Sequence, residues 1–413
     1  MNNLSRNDKI SFFLLKVYTL LVASFSALEI LRLANLYNIA ELNKVVTLLV
    51  GIPAVLLVLV KFKSNLIKYS FFNALLLILL LFGVLFGFAY GNKSYYVVAD
   101  AATVSIAISM LFLFSSIDVR KEALNRYLLY SSYLLLLASF LGISFGYIAV
   151  YIFGKEVYFS FGSVAMLLPA TYFLVFKKRI SLFLSILTIV AGGKVGVILS
   201  FIVIFFFYQV AKRRISLSRV ILASMIAISL VAFVSNSYIS SIEQPATGVV
   251  GKLKSYSYDT FKNYSADQIL NFGGGRLAEV YHSWNKFSSY DGLPLITGAG
   301  FGFVYDNYYR GSVLKDVHNV HISFITLTLR HGVLLVIIFY LSLILLFKRL
   351  YKSLFIISPS KNYQVLLLFC LGSFVFSFTA FNLFATLFNW IFLGILVREH
   401  KRIVTLNIRN GGC

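Results

Sequence analysis

Apolar runs of about 20 residues recur along this chain from Ser11 to Val397, and a run of that length crosses the hydrocarbon core of a bilayer as a helix. A mean hydropathy of +0.86 with 59% hydrophobic residues lies well outside the soluble range. Spans are expected near 11–33, 45–60, 70–90, 95–116, 127–153, 158–176, 180–192, 195–210, 218–235, 321–347, 363–380 and 382–397. The expected fold is an all-α polytopic membrane protein of about twelve transmembrane helices. Helices occupy 1–235, a large, partly helical external loop fills 236–320, three more helices follow over 321–397, and a tail covers 398–413. The run from Ser11 to Leu33 follows Arg6 and Lys9 and is too long for the core of a cleavable signal, so it is read as the first span.

Charge sets the expected orientation. Alternate connectors are basic: Lys61, Lys63 and Lys68; Arg120, Lys121 and Arg126; Lys177, Lys178 and Arg179; Lys212, Arg213, Arg214 and Arg219; Lys348, Arg349, Lys352 and Lys361; and the tail with Arg398, Lys401, Arg402 and Arg409. The connectors between them hold single lysines at Lys44, Lys93, Lys155 and Lys194. By the positive-inside rule both termini are expected in the cytoplasm and the long loop outside. The loop's lysines and arginines are matched by its carboxylates. The net charge of +22 therefore marks membrane topology facing anionic lipid, and nucleic-acid binding is not expected. Cys370 and Cys413 give no disulfide framework.

Four features carry possible chemistry. Gly273-Gly274-Gly275-Arg276 precedes Leu277, Val280, Tyr281, Trp284 and Phe287 at helical spacing, so Arg276 is expected to open an amphipathic helix near the membrane surface. Glycine N–H groups at a helix start, beside a bidentate guanidinium, suit a phosphate. The plainer alternative is a flexible joint. Gly298-Ala299-Gly300-Phe301-Gly302 lacks the strand and βαβ context of a dinucleotide site, and a close-packed turn is its simpler reading. His318 and His321, three residues apart, would share a helix face where the loop re-enters the membrane. An imidazole there suits a general base, although interfacial hydrogen bonding alone would also explain the pair. Lys194, beside Gly192 and Gly193, is expected in a turn that carries its charge to the outer surface or a wet cavity, the alternatives being one long helix through 180–210 and a helix-end lysine that snorkels to the surface. No metal and no cofactor are expected, because no third strong ligand accompanies the histidines and Asp316.

Taken together, these features resemble the bacterial O-antigen polymerase and O-antigen ligase superfamily, most closely over about 185–335. The matching elements are Lys194 after a short span, Gly275-Arg276 with Trp284, Gly298-Ala299-Gly300, and a histidine eleven residues before Gly332, which selects His321. Two positions depart from the family pattern. Gly193-Lys194 stands where Ser-Arg is usual, and the His-Asn dipeptide is His318-Asn319, three residues early. The resemblance implies a metal-independent, inverting glycosyltransferase of the inner membrane, a polymerase more than a ligase, with the loop in the periplasm. Its donor would be an undecaprenyl-diphosphate-linked oligosaccharide. Arg276, Lys194, Gly274 and Gly275 would hold the diphosphate, and His321 or His318 would serve as base. A chain-length regulator protein is a further partner the resemblance allows. A transporter or lipid-linked oligosaccharide flippase is the competing class.

Overall fold

The computed structural model describes residues 6–27, 49–58, 71–153, 164–192, 194–212, 272–290, 292–309, 312–318, 320–379 and 383–409. The span expected at 218–235, loop residues 236–271, Gly193 and Asn319 lie outside these ranges. The described chain is mostly helical. The helices are α1 (Arg6–Ala27), α2 (Leu49–Val58), α3 (Phe71–Ala89), α4 (Ser94–Ser116), α5 (Lys121–Phe153), α6 (Leu167–Phe176), α7 (Arg179–Ala191) and α8 (Val195–Ala211), then α9 (Phe272–Ser288), α10 (Pro294–Thr297), α11 (Ser323–His331), α12 (Val333–Tyr351), α13 (Lys361–Ser377) and α14 (Leu387–Arg409). Among the described residues, four helical segments are long and apolar enough to cross a membrane: Phe71–Ala89, Ser94–Ser116, Lys121–Phe145 and Val333–Ile357, the last continuing α12 through a π-helical turn.

The described spans are helical, in keeping with the expected all-α membrane class, and the partly helical loop adds a hairpin: β1 (Tyr305–Tyr309) and β2 (Ser312–Val317) are antiparallel, with Tyr305 opposite Val317 and Tyr308 opposite Val313. Aromatic and β-branched residues favour extended backbone there. One expectation needs correction. The helix expected over 321–347 is broken. Gly332 takes φ 77°, and a Cβ on it would strike the Ile296 carbonyl, so α11 stops and α12 starts in a new direction. The two short spans near Lys194 are separate helices, with Gly192 closing α7 and Lys194 at the N-cap of α8 in extended conformation.

Contacts sort the connectors into two ends of the helix assembly. At one end the Lys121 carbonyl accepts from Asn362 Nδ2 at 3.2 Å. There too Lys361 Nζ stands 5.5 Å from the Phe176 ring centre, Lys212 Nζ 5.7 Å from that of Phe355, and Ser353 pairs with His400 Nδ1 at 2.6 Å. Helix α1 runs parallel to α5, since Phe12 meets Tyr127 and Ser26 backs onto Gly142, so Arg6 joins this basic end. At the other end Lys93 Nζ reaches Asp316 of the hairpin at 2.6 Å. Lys194 lies at that end as well, over Phe376 near the close of α13, opposite Lys361. Among the described connectors, the basic and weakly charged ones thus lie at opposite ends.

The loop is clamped to α3 by close backbone contact. Gly298, Gly300 and Gly302 all have φ near +77° (76°, 77° and 77°). Phe301 N–H donates to the Gly83 carbonyl at 2.7 Å, and its ring lies on Gly83. A Cβ on Gly300 would collide with the Gly87 amide. Asn92 Nδ2 donates to the Ala299 and Phe301 carbonyls, each at 2.8 Å. Small residues let the turn and the helix approach at backbone distance. Gly300→Val combines a disfavoured φ with overpacking and is expected to cost about 1–3 kcal/mol. The measurement is thermal unfolding in detergent; an unchanged midpoint would remove the clamp from the account.

Candidate functional site

The described part of the loop brings two histidines to two buried carboxylates. The first carboxylate is Glu279, on the inner face of α9. That face also buries Ala278, Ser283 and Phe287 against the hairpin and α11, in a small apolar cluster with Phe303, Tyr305, Val320 and Leu329. Arg276 Nη1 donates to Glu279 at 3.0 and 3.3 Å from one turn earlier on the helix. From the other side, His321 contributes its backbone N–H at 3.2 Å and its Nδ1 at 2.8 Å. A carboxylate only accepts, so Nδ1 carries the proton and Nε2 is left as the acceptor nitrogen of the ring. The side chain is 50% exposed, so the ring is open to solvent on part of its surface.

The second carboxylate is Asp100, in the first turns of the membrane-spanning α4. Its Oδ2 accepts from Arg330 Nη2 at 2.9 Å, from His318 Nε2 at 3.0 Å and from the Gly302 backbone N–H at 2.9 Å. His318 also stacks on Tyr96, ring centres 4.4 Å apart, and its carbonyl accepts from Arg330 Nη2 at 3.3 Å. Here Nε2 is the nitrogen that carries the proton, and only 17% of the side chain is exposed. The expected shared helix face is therefore corrected. His318 follows β2, His321 precedes α11, and the buried Val320 lies between them, so the two rings serve different carboxylates.

Arg276 and His321 thus meet through Glu279. The glycine run does not precede the helix as expected. Helix α9 starts at Phe272, so Gly273, Gly274 and Gly275 form its first turn, where N–H groups have no intrahelical acceptor. Lys194 shares the loop end of the molecule but belongs to another set of helices. Its ammonium lies 5.3 Å from the Phe376 ring centre. The turn at 298–302 is an anchoring element, whose glycines meet α3 and the backbone of Arg330. Glu279, Asp100 and Arg330 are functional candidates beyond those the motifs supply. Asp100 and Arg330 had a legible signal: each is a charge within an apolar stretch, and such charges pair. Among the described residues no group of three His, Cys, Asp or Glu side chains is placed to hold a metal.

No protein-family model matches the sequence, and no curated protein matches it.

Burial alone would push the Glu279 carboxyl up. The His321 hydrogen bond and charge, with the Arg276 charge, outweigh burial and hold it below the ordinary carboxylate value. Between the folded and unfolded values the unfolded chain binds more protons, so stability rises with pH in that window. The contribution is complete above the ordinary value of 4.5 and is lost as pH falls through the folded one. Hydrogen exchange of α9 is expected to accelerate in that acid window in the wild-type chain and to show a clearly weaker pH dependence in Glu279→Gln after intrinsic correction. Parallel profiles in the two proteins would refute the role of this carboxylate.

Proposed function

We propose that the chain is an inner-membrane polysaccharide polymerase. It would transfer a glycan from undecaprenyl diphosphate to a hydroxyl of a second lipid-linked repeat unit, in one inverting, metal-independent step. The observation that carries this reading is the Arg276–Glu279–His321 constellation at the loop end of the helices. It combines a fixed cation with an oriented imidazole, the two groups such a transfer needs.

The chemistry follows from the geometry. The acceptor hydroxyl loses its proton to Nε2 of His321 as its oxygen bonds to the anomeric carbon. The bond from that carbon to the diphosphate oxygen breaks, and negative charge moves onto the lipid diphosphate. Glu279 keeps His321 in one tautomer and stabilises the imidazolium that forms. Arg276 holds Glu279 through Nη1, and its remaining guanidinium donors are the ones that meet the leaving diphosphate. The first-turn N–H groups of Phe272 to Gly275 add a positive helix end on the same side as Arg276. Lys194 supplies a second cation at the same end of the assembly. His318 is assigned a supporting role, since its Nε2 proton is committed to Asp100. A ligase using the same donor needs the same cations and base, and its acceptor would be a lipid A core. A flippase needs no general base, and an oriented His–Glu pair beside a guanidinium favours transfer over transport.

Purified protein with a lipid-linked repeat unit is the test. His321→Ala is expected to slow polymer growth by about 10²–10⁴-fold, the usual weight of a general base. His318→Ala is expected to do less, and Arg276→Ala to abolish growth with expression intact. Wild-type chain growth in Arg276→Ala, or the reverse order of the histidines, would defeat the assignment. Flipping without growth in the wild-type protein would select the transporter.

A further inference from the structure

Among the described residues, helix α9 is packed on one face only. Its outward stripe is Leu277, Tyr281 and Trp284, spaced four and three residues apart, with 46, 49 and 38% of each residue exposed. We infer that this stripe, with Leu293, Leu295 and Ile296 of α10, is a membrane-docking surface that rests in the headgroup layer of the bilayer. The inference depends on the membrane-spanning helices and not on the proposed reaction.

Three observations point to lipid as the occupant. First, the stripe is placed at bilayer height. The chain just after α9 is pinned to the end of span α3, where Tyr290 packs edge-on against Tyr90 with ring centres 5.6 Å apart. Trp284 is six residues back along the chain, about 9 Å along the axis at helical rise, a distance comparable to the roughly 5–8 Å polar layer that flanks the hydrocarbon. Second, the apolar surface is continuous with the spans. Thr297 Oγ1 lies 3.4 Å from Tyr90 Oη, and the Ile296 carbonyl abuts Gly332 at the start of span α12. The exposed Leu293, Leu295 and Ile296 therefore extend the outward-facing surface formed by Leu85 and Phe88 of α3 and Leu334 of α12. Third, the composition is that of an interface. A tryptophan and a tyrosine each carry an apolar ring with a polar edge, the pairing enriched at the water–lipid boundary. Arg276 and Lys286 stand near the two ends of the helix, where phosphate groups would meet them.

Docking of this kind has a geometric consequence. It holds Arg276, Glu279 and His321 at a fixed height above the hydrocarbon, so a lipid-borne ligand would approach them from the bilayer side.

The experiment uses the full chain in phosphatidylcholine–phosphatidylglycerol vesicles and reads tryptophan fluorescence. The protein has two tryptophans, and Trp390 is fully buried against Phe384. Trp390→Phe leaves Trp284 as the only emitter. If that variant does not fold, the difference between wild type and Trp284→Phe isolates the same signal. Lipids brominated near the headgroup are expected to quench about half of the Trp284 emission, as for an interfacial indole, while aqueous iodide quenches little. Strong iodide quenching without bromolipid quenching would place the stripe in water. Shielding from both quenchers would mean that protein covers it, either other residues of this chain or a second copy. Either result overturns the proposal.

Discussion

The loop end of this protein depends on one carboxylate in a membrane helix. An isolated charge in an apolar environment is expensive, and it persists only when paired and hydrogen-bonded. Asp100 meets that requirement with a guanidinium, an imidazole and a backbone amide, all on Oδ2 and all from residues 302 to 330. A helix buried by span packing alone would have no need of the loop. A helix carrying Asp100 can bury it only with the loop docked. The same carboxylate fixes three points of the loop at once: the glycine turn through Gly302, the exit of the hairpin through His318, and α11 through Arg330. Removing one partner of such a pair typically costs 3–5 kcal/mol. The loop is therefore joined to its scaffold by electrostatics as firmly as by packing.

That anchor explains why two histidines three residues apart differ so much. His318 belongs to the anchor, with its ring between Tyr96 and Asp100 and little exposure. His321 is past the anchor, beyond the buried Val320, and turns to Glu279 on α9 instead. Holding one end of this short segment rigidly restricts where the other imidazole can go. The second carboxylate then selects its tautomer. An exposed imidazole loses rotamer freedom when a partner orients it, and here the order imposed by Asp100 lowers that cost before Glu279 contributes.

Much of the scaffold is legible in the residues. The break at Lys194 follows from glycines beside a charge inside an apolar run. The helices found, Arg179–Ala191 and Val195–Ala211, fall within a residue of the expected 180–192 and 195–210. The turn at 298–302 is a close-packed turn, the simpler of its two readings, and its partner surface on α3 has the matching small residues Gly83 and Gly87. The spacing from His321 to Gly332 has a mechanical cause. It is the length of α11 with its two flanking residues, between the bend at 321–322 and a glycine whose conformation no other residue adopts without strain. The hairpin was less legible, because two short strands show too few alternations to distinguish from loop. The pairing of Asp100 with Arg330 and of Glu279 with His321 links residues far apart in the chain. Local pattern reports that a charge needs a partner without saying which one it finds.

Helix lengths set the depth at which this chemistry is held. Thirteen residues of α7 rise only about 20 Å, short of the roughly 30 Å of hydrocarbon that a full span crosses. Helix α7 is thus shorter than a full span, and the chain turns at Lys194, whose ammonium lies over the Phe376 ring. The glycine turn reaches a comparable level, since Gly83 lies six residues, about 9 Å, before the end of α3 at Ala89. A loop that enters this far takes its charged groups out of bulk water. Reduced solvent screening strengthens every ion pair made there. Short helices and inserted glycines thus act together. They sink the polar groups of the loop end to a level where each charge is costly unless matched, as Asp100 is by Arg330 and His318.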